Sequence, residues 1–131
     1  MEELKKILHV DDDEDIRVIV KMALELVGQF NVDQYSSGPD AIAGAADFKP
    51  QLFLLDVMMP EMTGEETWHQ LKQIPGLENV PAIFLTAKAE SVFAERLLAN
   101  GCLAVITKPF DPVDLCEKIS LHWSDFQADK A

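Results

Sequence analysis

Five residues carry the chemistry open to this chain. Asp11 and Asp12 sit side by side, Asp56 stands alone at the end of an apolar run, and Thr86 and Lys108 each close another run. Three carboxylates, a hydroxyl and an ammonium can hold a hard cation and handle a phosphoryl group, provided that the chain brings them together. Two like charges ~4 Å apart repel by about 4 kcal/mol at an effective dielectric of about 20. Such a cluster must therefore raise its pKa values or hold a cation. Mg²⁺ suits it best, because that ion keeps several waters and serves phosphate chemistry with one or two carboxylates. A carboxylate in this company is set up as a nucleophile toward phosphorus, while the ion and Lys108 neutralise charge on the transferring oxygens. Asp56 is the candidate, since Asp11 and Asp12 are neighbours and Asp56 is alone at its strand tip.

The elements that must position these residues are legible as an alternation. Apolar runs of strand length occur at Ile7–Val10, Val32–Tyr35, Leu52–Leu55, Val80–Leu85 and Leu103–Ile106, separated by longer stretches with helical spacing. Residues 14–27 are the clearest helix, with Ile16, Ile19, Val20, Ala23 and Val27 expected on its inner face. Gly28 is expected to end it in the left-handed conformation. The last helix opens on Asp111-Pro112, an N-cap acid and a first-turn proline, with Val113, Cys116, Ile119 and Ser120 as its expected inner stripe. Five strands alternating with five helices predict a single doubly wound α/β domain, a (βα)5 unit of flavodoxin-like type. Its parallel five-stranded sheet should run in the order 2-1-3-4-5. In such sheets ligands sit at the carboxyl ends of the strands, where Asp11, Asp12, Asp56, Thr86 and Lys108 would gather.

Taken with that order, V-D-D at Val10–Asp12, L-D-V-M-M-P-E-M-T-G at Leu55–Gly64, L-T-A at Leu85–Ala87 and T-K-P-F at Thr107–Phe110 resemble the response-regulator receiver domain of two-component signalling. The four motifs span essentially the whole chain. The resemblance implies that Asp56 is phosphorylated, that Asp12, Asp56 and the backbone carbonyl of Met58 ligate Mg²⁺, and that Asp11 holds the ion through water. It implies contacts of Thr86 and Lys108 with phosphoryl oxygens and a cis peptide bond before Pro109. It implies a sensor histidine kinase or phosphotransfer protein as donor and a downstream target protein as receptor of the signal. Residues 1–125 are read as the receiver domain and 126–131 as a short C-terminal tail too short for an output domain, so the chain is expected to be either a stand-alone receiver or a domain cut from a longer protein.

Two departures from the family pattern bear on behaviour. Val105 stands where the family often carries an aromatic ring that swings inward, so activation is expected to be read through Thr86 and the segment from Lys88 to Asn100. Met58 and Lys88 occupy the positions that tune phosphoryl lifetime. A thioether orients water poorly, so slow autodephosphorylation is expected.

Other readings are weaker. A Mg²⁺-dependent phosphohydrolase with an aspartyl-phosphate intermediate would want a second acid at Met58 and a segment long enough for a substrate cap. A flavodoxin-like FMN carrier would need a Ser/Thr/Gly-rich phosphate loop where this chain has three aspartates. A receiver that no longer uses phosphate would not keep the full set of acids, hydroxyl and ammonium. Nor is the protein expected to be an enzyme beyond catalysing its own phosphorylation and dephosphorylation.

Composition agrees with these expectations. A formal charge of −12 over 131 residues disfavours nucleic acid and anionic membranes as partners. No apolar stretch approaches the ~18 residues of a membrane helix, and the chain reads as cytoplasmic. Cys102 and Cys116 lack metal or disulfide spacing and read as small core residues. Asp13, Glu14 and Asp15 read as first-turn acids of a helix. His9 reads as a satisfied core or half-core histidine, and His69 and His122 as surface helix residues. Met59 and Met62 should pack the loop after Asp56, and Trp123 with Phe126 fits either core closure or an exposed docking patch.

Overall fold

The computed structural model describes residues 2–87 and 91–130, without the side chains of residues 91–93 and 130. Five strands, β1 (Lys6–Val10), β2 (Asn31–Tyr35), β3 (Leu52–Asp56), β4 (Ala82–Thr86) and β5 (Ala104–Thr107), alternate with five helices. The helices are α1 (Glu14–Met22), α2 (Gly38–Phe48), α3 (Gly64–Leu71), α4 (Ser91–Ala99) and α5 (Pro112–Lys130). All strand pairs are parallel and the sheet order is β2-β1-β3-β4-β5, as the alternation predicts.

The pleat sorts the apolar residues onto two faces. Ile7, Leu52, Leu54, Ile83, Leu85 and Ile106 point to the side covered by α1 and α5. Leu8, Val10, Phe53, Leu55 and Phe84 point to the side where Ala41 and Ala45 of α2, Trp68 and Leu71 of α3, and Leu97 of α4 pack. Every residue of β3 and β4 is buried, which explains their continuous apolar sequence. Each fully buried Leu or Phe contributes about 1.5–3 kcal/mol. Asp56 is thus the one carboxylate on a strand anchored by apolar burial on both faces.

Local signals set the helix starts. Asp13 caps α1 by accepting from the amides of Asp15 and Ile16, and Ser37 caps α2 through the Asp40 amide. Asp111 accepts from the amides of Val113 and Asp114 at the start of α5. Thr63 and Glu66 form a reciprocal capping box at α3, and hydrogen bonding from the Thr63 amide, then its hydroxyl, holds the Glu66 carboxyl below its ordinary pKa. The T-x-x-E spacing of that box is a helix-start signal present in the sequence itself.

The expected 14–27 helix changes form on the way. Beyond Met22 the chain widens into a π-helical turn, Ala23–Val27, in which the Gly28 amide donates to the Ala23 carbonyl. Val20, Ala23 and Leu24 are buried and Ile19 is exposed, and the wider turn shifts the register after Met22, leaving Val27 exposed as well. Gly28 stays right-handed at φ −83°, and the left-handed residue is Gln29. Glycine is still required at 28, because a Cβ there would run into the Phe30 ring. The inner stripe of α5 is Leu115, Cys116, Ile119 and Trp123, with Val113 and Ser120 outside. Strand β4 starts at Ala82, later than Val80, because Pro81 has no amide to give the ladder.

Both cysteines are buried and free; burial pushes the Cys102 thiol up to about 11. Trp123 closes the core, its indole N–H donating to the Glu2 carbonyl at 2.9 Å. Helix α5 continues through residues 126–130, with Phe126 packed against the core and Gln127 buried. His69 lies exposed on α3 and His122 half-exposed on α5. Met59 is buried in the core under α2 and α3. Lys88 lies outside the described residues.

Candidate functional site

Strand register brings the acids level. Val10 pairs with Leu55, so the next residues, Asp11 and Asp56, emerge side by side from adjacent strands. Asp56 pairs with Leu85, Thr86 follows, and Thr86 pairs with Thr107, which delivers Lys108 to the same edge. The Lys108 amide donates to the Thr86 carbonyl at 2.7 Å, and the Lys108–Pro109 peptide is cis. Lys108 then turns its ammonium back over the sheet end, 2.8 Å from Asp11 Oδ2 and 3.1 Å from Asp56 Oδ1.

Oxygens of Asp11, Asp12 and Asp56 lie within 4.8 Å of one another. The three acids are not equivalent. Asp11 is wholly buried, with Oδ1 accepting from the Asp13 amide at 3.0 Å and Oδ2 taken by Lys108. Asp56 is buried and keeps one oxygen outside its bond to Lys108. Asp12 is exposed. Burial, the charge of Asp11 and, to a smaller degree, that of Asp12 push the Asp56 carboxyl up to about 6, against the pull of Lys108. For Lys108 burial works against the ammonium, but its bonds to and the charges of Asp11 and Asp56 prevail and raise its pKa.

The donor set fits a hard cation. Asp12 and the free oxygen of Asp56 are available as direct ligands, whereas Asp11 has both oxygens engaged and suits a water-mediated contact. Thr86 is buried at the end of β4. Met58, 75% exposed, follows on the loop to α3. That loop closes tightly on the acid: the Gly64 amide donates to the Val57 carbonyl at 2.9 Å, and a side chain at Gly64 would collide with the Asp56 carbonyl.

Two polar residues near the edge were missed in the sequence. Arg17 donates from Nη1 to the Asp11 carbonyl at 2.7 Å. Gln34 gives one amide hydrogen to the Arg17 carbonyl at 2.8 Å and another to His9 Nδ1 at 3.0 Å. His9 is therefore satisfied at one ring nitrogen only; Nε2 has no partner among the described residues. Desolvation, with the charges of Lys108 and Arg17, lowers its pKa to about 3 and keeps it neutral. Arg17 had one sequence signal, a cation in the opening turns of an acid-led helix, where the dipole disfavours it.

A doubly wound α/β domain with a lysine-bridged anionic notch at its switch point defines the class. A family model for the response regulator receiver domain matches residues 7–120. The chain is 35% identical over 116 residues to the phosphate regulon transcriptional regulatory protein PhoB of Rhizobium meliloti, covering 88% of this chain and 51% of that protein. It is 37% identical over 115 residues to the alkaline phosphatase synthesis transcriptional regulatory protein PhoP of Bacillus subtilis, covering 88% and 47%. Among solved structures it resembles a CheY-like receiver domain protein from Methanospirillum hungatei, at 31% identity and TM-score 0.80, covering 97% of this chain and 99% of that one. The chemotaxis response regulator CheY4 of Vibrio cholerae gives 28% identity and TM-score 0.82, covering 92% and 99%.

The chain belongs to the response regulator receiver domain family. It is thus a phosphoacceptor switch of two-component signalling, a family in which phosphorylation falls on an aspartate and links a phosphodonor to downstream partners. The chain spans about half the length of the curated relatives PhoB and PhoP. Among the described residues no helix is long and apolar enough to cross a membrane.

Proposed function

We propose that Asp56 is the residue this receiver phosphorylates, in a Mg²⁺-dependent transfer from the phosphohistidine of a sensor histidine kinase or phosphotransfer protein in the cytoplasm. The observation that carries the reading is the shared ammonium: Lys108 reaches both Asp11 and Asp56 while Asp56 keeps a second oxygen for reaction. In the transfer that oxygen forms a bond to phosphorus as the P–N bond to the donor imidazole breaks, and the leaving nitrogen takes a proton. Asp12, Asp56 and the Met58 carbonyl would hold Mg²⁺, with Asp11 reaching it through water, and the bound ion would supply charge neutralisation for the phosphoryl oxygens. Lys108 contributes a second positive charge and Thr86 a hydroxyl donor. The anchored β3 strand keeps the nucleophile in place, and desolvation at its tip strengthens each of these contacts.

The readout is a changed surface for a target protein. Val105 packs half-buried against the core under α3 and α4 and has no ring to swing, so Thr86 and the segment after it transmit the change. The phosphohydrolase alternative lacks its acid, because position 58 is a solvent-exposed methionine.

Intact-mass measurement after incubation with acetyl phosphate and MgCl₂ tests the assignment. The parent should gain one phosphoryl group and Asp56→Asn none. A gain that persists in Asp56→Asn would place the acceptor elsewhere.

A further inference from the structure

We propose that Arg17 is the positioning residue of the acidic edge: its guanidinium holds the peptide plane between Asp11 and Asp12, and so aims the Asp12 carboxylate at Asp56. The inference deepens the reading above and rests on its metal site.

Asp12 has no hydrogen-bond donor on its carboxylate among the described residues, although that carboxylate closes the three-acid cluster. The fold therefore constrains it only through the backbone that launches it, which limits the rotamers that can face Asp56. That backbone is gripped on the strand side, where the Asp11 amide donates to the Tyr35 carbonyl at 3.1 Å, and on the helix side, where the Asp13 amide donates to Asp11 Oδ1. The Asp11 carbonyl, which shares its peptide plane with the Asp12 amide, is held by Arg17 Nη1 at 2.7 Å. Rotating that plane would break this bond and swing Asp12 away from Asp56.

Arg17 is itself tied from behind. Gln34 uses its two amide hydrogens on the Arg17 carbonyl and on His9 Nδ1. A neutral His9 accepts at that nitrogen, and the amide cannot turn over without losing both bonds. The path therefore runs from β2, through the second turn of α1, to the tip of β1.

Charge alone argues against a cation at this place. Arg17 stands near the positive end of the α1 dipole and beside a site read as holding Mg²⁺, which it repels. What arginine offers is a rigid planar donor of long reach. Electrostatics and positioning thus predict opposite signs for its removal. Loss of a nearby positive charge should tighten Mg²⁺ binding, whereas loss of the clamp should weaken it.

MgCl₂ titrations of the parent, Arg17→Met, Arg17→Gln and Arg17→Lys, followed by backbone amide NMR, separate the two. The expected result is about tenfold weaker Mg²⁺ binding in Arg17→Met and Arg17→Gln, the scale typical of residues that orient a metal ligand from behind. Arg17→Lys should recover part of the loss. In metal-free spectra the Asp12 amide should move while the amides of Leu52–Leu55 stay in place, a signature that general destabilisation would not give. Unchanged or tighter binding in whichever neutral variant folds would overturn the proposal. A parent that fails to bind MgCl₂ would overturn the metal reading beneath it, and the proposal with it.

Discussion

The Lys108 ammonium and the Asp11 carboxylate stand 2.8 Å apart, with the aspartate wholly buried and the lysine side chain 14% exposed. The pair joins the first and last strands to approach the site, across 97 residues of sequence. It holds the ammonium where it also reaches Asp56, so in the metal-free state one cation serves two buried acids.

Removing that cation leaves both acids uncompensated. Lys108→Met should lose about 3 kcal/mol of stability at pH 7.5 in EDTA, the scale for breaking a buried ion pair from one side. Urea unfolding measures it. Midpoints that coincide with the parent's would show that Lys108 contributes no net stabilisation to the notch.

The raised Asp56 pKa makes a signed prediction about pH. Between the unfolded value of 3.8 and the folded value of about 6, the folded domain binds more protons at this residue than the unfolded chain. Its contribution to stability therefore falls as pH rises through that window. Without metal, Asp56→Asn should melt higher than the parent above pH 6, and the difference should vanish toward pH 4. His9 acts in the opposite direction: its pKa is lowered from 6.5 to about 3, so its contribution is complete above pH 6.5 and is lost on acidification. The comparison of Asp56→Asn with the parent cancels the His9 effect, since both proteins carry that residue. A melting difference that does not vary with pH would refute the assignment.

Phosphoryl lifetime should depend on Met58. Met58 stands exposed two residues after Asp56, and its thioether gives a water molecule little to bind. Met58→Asn places an amide there and should speed decay of phospho-Asp56 by roughly tenfold, about 1.4 kcal/mol of barrier. Following the loss of the phosphoryl group by intact mass at fixed MgCl₂ measures the rate, and an unaltered half-life would exclude the side chain from water positioning.

Much of this domain was legible in one dimension. The apolar runs at Leu52–Leu55 and Ile83–Leu85 mark strands buried on both faces, and acids or hydroxyls at their ends mark the ligand edge, because a parallel sheet sends every strand's carboxyl end the same way. Sequence periodicity could not reveal the π-helical turn at Ala23–Val27, which shifts the register after Met22 and leaves Val27 exposed. That turn depends on packing against α5, where the Cys116 thiol donates to the Ala23 carbonyl at 3.2 Å. The division of labour among the three acids was equally hidden. Asp11 and Asp12 are adjacent and identical in type, yet one is buried with both oxygens committed and the other faces solvent with none committed among the described residues. Residue type and spacing determined that an anionic notch would form. The bonds from Lys108, Arg17 and Gln34, which span from 6 to 97 positions, fix how the acids and their backbone are held, because such contacts are selected by the folded backbone and leave no local period in the chain.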